Sequence, residues 1–223
     1  MSKHLENAIE KIRGSLLVLG GLIEENLQDA VLAVKEKNRV LAREVISRDR
    51  TVDLAEVELE EDCLKVLALH QPVAIDLRIV VAALKINNDL ERIGDLAVNI
   101  AERAEFLSSS DSITAPFDFD TMASKVRIML KNALDSMIGM NSEIARSVCA
   151  ADDEVDQINR EMYRTVYERL RVEPQNAESL IHYLSISRHL ERIADYATNI
   201  SEDIIYMIEG EIVRHKPNEF LAE

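Results

Sequence analysis

The 223-residue chain has no tryptophan, two cysteines, four prolines and six glycines, and aromatic residues make up 4% of it. So little Gly and Pro excludes collagen-like and linker-dominated architectures. No Gly-rich phosphate loop occurs, and no segment keeps the apolar/polar alternation of a half-buried strand. Long hydrophobic runs are also missing. The strongest, SLLVLGGLI (Ser15 to Ile23), is well short of the roughly 20 residues that span a bilayer. The opening MSKHLENAIE has no basic segment leading into an apolar one, so no secretory signal is expected. Cys63 and Cys149 form no C-x-x-C and read as reduced thiols. A cytoplasmic location is the expectation.

What is present is charge and aliphatic surface. Charged residues make up 30% of the chain and apolar ones 47%, a mixture suited to packed amphipathic helices and too apolar for disorder. Forty-one acidic residues against 26 basic ones give a net charge of −15. That field keeps the chain soluble and repels phosphate backbones, which excludes nucleic acid as an expected partner; it favours cations and basic protein surfaces.

The chain repeats itself. DLERIGDLAVNIAE at residues 89–102 returns as HLERIADYATNISE at 189–202. Earlier in each half, Asp49, Val52, Asp53 and Glu58 correspond to Asp152, Val155, Asp156 and Glu161. Two copies of one unit are therefore expected, residues 1–109 and 116–223, joined through SSSDSITAPFDFD (Ser108 to Asp120).

Each unit divides into three helical patterns, so the expected fold is all-α: two three-helix bundles of six long helices, each helix roughly 45 Å long. In the first unit Leu5, Ile9, Ile12, Leu16, Leu19, Ile23, Leu27, Ala30 and Val34 hold a 3/4 spacing, interrupted by Gly20 and Gly21. A second helix is expected from near Arg39 to Leu69, and a third from about Val73 to Leu107 after Gln71-Pro72. In the second unit Met122, Val126, Met129, Ala133, Met140 and Ile144 form the first stripe, Val155, Ile158, Met162 and Val166 the next, and Ile186 to Ile204 the last, after a break at Glu173-Pro174.

On a wheel with the third helix's core stripe at zero, Glu91, Asp95, Asn99 and Glu102 fall at roughly 140°, 180°, 220° and 160°, opposite the core. Like charges at i, i+4 destabilise a helix by a few tenths of a kcal/mol, so a plain solvated face would alternate signs. Here the arrangement recurs as Glu191, Asp195, Asn199 and Glu202. The middle helices add the pairs Asp49/Asp53 and Asp152/Asp156, which sit at the border of their own stripe. Acidic pairs facing each other from adjacent helices are unfavourable unless cations neutralise them, and carboxylate oxygens suit Mg²⁺, Mn²⁺, Ca²⁺ or iron. None of His4, His70, His182, His189 and His215 stands in a metallohydrolase or di-iron spacing. His189 reads as a solvated or hydrogen-bonded side chain, the methionines Met129, Met137 and Met140 as core filling, and Arg92 and Arg192 as partners of neighbouring acids. Three readings follow: a metal-binding adaptor, a carboxylate-bridged metalloenzyme, and a metal-free helical scaffold.

The combination of D-x-x-V-D with L-E-R-I-x-D-x-A-x-N-I once per half, with QPVAIDLR before the first copy, closely resembles the PhoU family over nearly the whole chain. The resemblance implies a cytoplasmic, non-enzymatic negative regulator of phosphate uptake and phosphate-starvation signalling. Its implied partners are a phosphate ABC transporter, through the ATPase subunit, and a sensor histidine kinase, with a homodimer as the oligomer and the membrane reached only through those partners. It also implies surface clusters of divalent metal, Mg, Mn or Fe with Zn as a further option. These map onto Asp49/Asp53 with Glu91/Asp95 and Asn99, and onto Asp152/Asp156 with Glu191/Asp195 and Asn199. Gly94 becoming Ala194, Asp89 becoming His189, and the lack of an AIDLR in the second half imply two sites that differ in metal number or affinity.

Overall fold

A computed structural model describes residues 3–109 and 113–213. Among them six helices follow one another: α1 (Lys3–Glu36), α2 (Arg39–His70), α3 (Ala74–Ser109), α4 (Phe119–Gly139), α5 (Ser142–Val172) and α6 (Ala177–Glu209), with a 3-10 turn at Pro174–Asn176 before α6. No strand occurs among the described residues. Helices α1–α3 form one three-helix bundle and α4–α6 a second. The bundles join through α3 against α6 and α1 against α4. Core side chains are the expected stripes: Ile12, Leu19, Ile23 and Leu27 of α1, Leu59 of α2, and Ile86, Leu90, Ile93 and Ile100 of α3 are fully buried.

The short connections are built twice to one plan. Lys37 and Met140 take left-handed backbone conformations (φ 52° and 47°). The amide of Asn38 returns to Ala33 O at 2.9 Å and that of Asn141 to Ser136 O at 2.9 Å. Each asparagine then caps the next helix, Asn38 Oδ1 accepting from Leu41 N and Asn141 Oδ1 from Glu143 N and Ile144 N. This corrects one expectation. The stripe Met122–Ile144 predicts one helix, but α4 stops at Gly139 because Asn141 offers a cap that the apolar spacing conceals. Gly20 and Gly21 do not break α1. A Cβ on Gly20 would lie 2.7 Å from Leu134 Cδ2, so that glycine serves close packing of α1 on α4.

An ion pair between a buried aspartate and an exposed lysine ties the two bundles. Lys85 Nζ of α3 lies 3.1 Å from Asp203 Oδ1 of α6, whose residue is 1% exposed, and Lys85 also sits 5.8 Å from the Tyr206 ring centroid. Both cysteines are free. Burial pushes each thiol up to about 12, so neither is nucleophilic near neutral pH.

Candidate metal centres

The acidic pairs meet where α2 packs on α3 and where α5 packs on α6. Val52 is buried between Asp49 and Asp53, and Gly94 is buried between Glu91 and Asp95. A Cβ on Gly94 would stand 3.0 Å from Ile23 Cδ1 and 3.3 Å from Val52 Cγ1. The missing side chain therefore lets the two helices close at the point where their carboxylates line up. In the second bundle Ala194 occupies that place, fully buried.

The electrostatics show that each set shares one groove. Burial, then Asp53 and Asp95, hold the Asp49 carboxyl above its ordinary range. Burial and Asp95 do the same for Glu91, with Arg92 opposing and Glu56 and Asp53 adding. The second groove is under greater strain. Burial, then Asp195, Asp156, Asp153 and Glu191, push Asp152 up to about 7. Glu191 and Asp195 are raised by burial and by acidic neighbours that include Asp156. Helix-to-helix coupling of this kind requires the pairs to face one another, as their spacing predicts.

Their depth differs from the wheel. Glu91 and Asp95 retain 25% and 43% of side-chain exposure, so they are half-buried in a groove rather than opposite the core. The reason is that α3 packs against α1, α2 and α6, which widens its buried arc and leaves only a narrow polar strip. Glu102 is exposed, 3.6 Å from Arg103, and stands outside the first groove. Asn99 Nδ2 donates to Asp95 O of its own helix at 2.8 Å, which leaves its carbonyl oxygen as the atom able to face a cation. Asn199 is half-buried at the equivalent place. Arg92 bridges the first groove's rim, 3.4 Å from Glu91 Oε2 and 3.3 Å from Asp95 Oδ2. His189 is hydrogen-bonded, its Nε2 3.1 Å from Ser185 Oγ, and burial followed by Arg103, Arg192 and Arg188 takes its pKa down to about 4.

One groove residue escaped sequence reasoning. Glu56 extends Asp49 and Asp53 by a further turn and is coupled to Asp53 and Glu91. It is fixed by the buried Asn87, whose Nδ2 donates to Glu56 O at 3.1 Å and Glu56 Oε1 at 2.7 Å. The i, i+4, i+7 series of acids was the available signal. The second bundle keeps the contact without the charge: Ser187 Oγ donates to Asn159 Oδ1 at 2.9 Å. At this position the first groove thus has a carboxylate where its counterpart has an amide.

The donor set fits a hard cation by its chemistry, with several carboxylates and an amide carbonyl per groove. Asp152 Oδ1 is buried and has no hydrogen-bond partner, a position a cation would satisfy. Among the described residues, however, no three His, Cys, Asp or Glu side chains already converge as a coordination shell. Binding would have to draw the carboxylates together.

An all-α, internally duplicated protein whose repeats each present an acidic groove defines a narrow class. The family model described as PhoU domain matches twice, over residues 16–104 and 119–204, and the chain belongs to the PhoU family. A phosphate-specific transport system accessory protein PhoU homologue from Aquifex aeolicus is 36% identical over 93% of this chain and 94% of its own. A homologue of the same description from Pseudomonas putida is 34% identical, over 96% and 84%. The crystal structure of PhoU from Pseudomonas aeruginosa superposes with a TM-score of 0.89 at 32% identity, covering 92% of this chain and 99% of that one. A phosphate transport system regulatory protein PhoU from Streptococcus pneumoniae gives 0.83 at 28%, covering 94% and 99%.

Proposed function

We propose that this chain is a cytoplasmic, non-enzymatic regulator that holds back phosphate uptake and phosphate-starvation signalling. In this reading it contacts the ATPase subunit of a phosphate ABC transporter and a sensor histidine kinase, works as a homodimer, and meets the membrane only through them. Divalent metal (Mg, Mn or Fe, with Zn as a further option) bound in the two acidic grooves completes its working surface. The observation that carries the reading is the whole-length match to relatives described as accessory proteins of phosphate-specific transport. No helix among the described residues is long and apolar enough to cross a membrane, which agrees with a peripheral role.

The test is genetic and chemical together. Deleting the gene should deregulate phosphate uptake, and the wild-type chain should restore control. A variant with Asp95→Asn and Asp195→Asn should keep its fold, lose bound metal by elemental analysis, and restore control poorly. Full control by that variant would leave a metal-free scaffold as the better description. Turnover of a substrate that depends on the same carboxylates would point to a metalloenzyme instead.

A further inference from the structure

Away from both grooves, a cleft of about 310 Å³ opens between α1 and α4, the seam that joins the two bundles. Val31 and Ala123 are buried in its wall, and Gln28, Lys35, Ser124, Arg127 and Asp120 supply its polar groups. Two of these are cations, in a chain whose net charge is −15.

Arg127 is half-buried, and among the described residues no carboxylate pairs with it; its partner is the neutral Gln28, whose Oε1 accepts from Nη2 at 2.8 Å. Its Nε is buried and has no acceptor. A buried guanidinium donor left without an acceptor costs free energy, and such groups mark places where a ligand or water completes the bonding. Lys35 Nζ lies 2.8 Å from Asp120 Oδ1, but both side chains are more than half exposed, so that pair exchanges readily.

The fold contains its own control. Aligning the two copies on their caps Asn38 and Asn141 makes Gly20 the counterpart of Ala123, Glu24 that of Arg127, and Val31 that of Leu134. At the other end of the same seam Leu134 fills the space above Gly20. Lys131 there is bonded to Asp135 at 2.6 Å and drawn further by Glu24. That end is closed, and its cation has a second acidic neighbour in Glu24 besides its own exposed pair. The cleft end is open because Val31 is shorter than Leu134 and meets Ala123 rather than glycine, and Arg127 stands where the other end has Glu24.

We propose that this cleft binds a small tetrahedral oxyanion, either inorganic phosphate or the phosphoryl group of a nucleotide, on Arg127 and Lys35 with Ser124 and Gln28 as neutral partners. The planar guanidinium matches two oxygens of such an anion, and the ammonium takes a third. The surrounding negative field opposes entry but is screened beyond about 8 Å at physiological salt, so the affinity expected is on the order of millimolar. Neither acidic groove contributes a residue, and failure of this proposal would leave the metal reading intact.

The experiment is a calorimetric titration of chelator-treated full-length protein with sodium phosphate at constant ionic strength. Saturable binding is expected. Arg127→Gln should weaken it at least tenfold and Lys35→Gln severalfold, whereas Lys131→Gln at the closed end should leave it unchanged. Ser124→Asp, an exposed position, should abolish it with no buried group disturbed, and decides the matter if Arg127→Gln unfolds. Adenosine monophosphate binding at least tenfold tighter than phosphate assigns the site to a nucleotide; equal or weaker binding assigns it to the free ion. No saturable binding, or binding indifferent to both Arg127→Gln and Ser124→Asp, overturns the proposal.

Discussion

Asp152 is the residue at which groove, charge and pH meet. In an unfolded chain an aspartate titrates near 3.8, whereas burial beside Asp195 and Asp156 takes this one to about 7. Between those values the folded state holds more protons than the unfolded state, so metal-free protein should lose stability as pH rises through the window. Discounted for solvent screening, the loss is about 1–2 kcal/mol. The melting temperature of metal-free protein is expected to be higher at pH 5 than at pH 8, with Asp152→Asn flattening that slope. A slope of the same size in the variant would place its origin elsewhere. Added divalent cation should reverse the trend, because it competes with the proton for the same oxygens. Gly94 is the second telling residue. Alanine there gains roughly 1 kcal/mol of helix propensity, but its Cβ would stand 3.0 Å from Ile23 Cδ1, and overpacking costs about 1–3 kcal/mol. Gly94→Ala should therefore leave stability unchanged or lower it by up to about 2 kcal/mol, read from denaturant midpoints.

Among the elements, α5 depends most visibly on its cap. Asn141 satisfies two amides at its start, and Asn141→Ala should cost about 1 kcal/mol. Denaturation of the variant at unchanged m-value would check this. Most of the helical plan was legible: α2 and α3 begin and end within a few residues of the expected places, and the repeats located both grooves. The periodic stripe also explains the error at Ile144. An αL turn followed by a cap keeps apolar residues on one side of the chain, so spacing alone runs straight through a 180° reversal. Glu56 prolongs the Asp49/Asp53 series by one turn, but the contact that fixes it in the groove comes from Asn87, 31 positions away, which no local spacing shows.

For the whole molecule, the question is what makes two bundles behave as one body. Beyond the apolar α3–α6 and α1–α4 seams, Lys85 and Asp203 place an ion pair at the join. Removing one partner of a buried pair costs about 3–5 kcal/mol; because Lys85 is partly exposed, Lys85→Met should cost less, about 2 kcal/mol. The transition should remain single, since apolar contact still links the halves. Two separated unfolding steps in calorimetry would mean instead that this ion pair sets the cooperativity. Which helices meet across the duplication was not legible in the sequence, because both copies carry similar stripes and spacing does not tell within-copy packing from packing between copies.

The Glu56–Asn87 and Asn159–Ser187 contacts bear on how the duplicated halves diverged. Each is a donor–acceptor couple reaching across two helices, and both members differ between the copies. Changing one member alone strands a buried polar group, so history would favour replacing the couple together. Positions 56 and 87, and likewise 159 and 187, should then co-vary among relatives, as a genealogical trace of a charge that stands at one couple and not at the other.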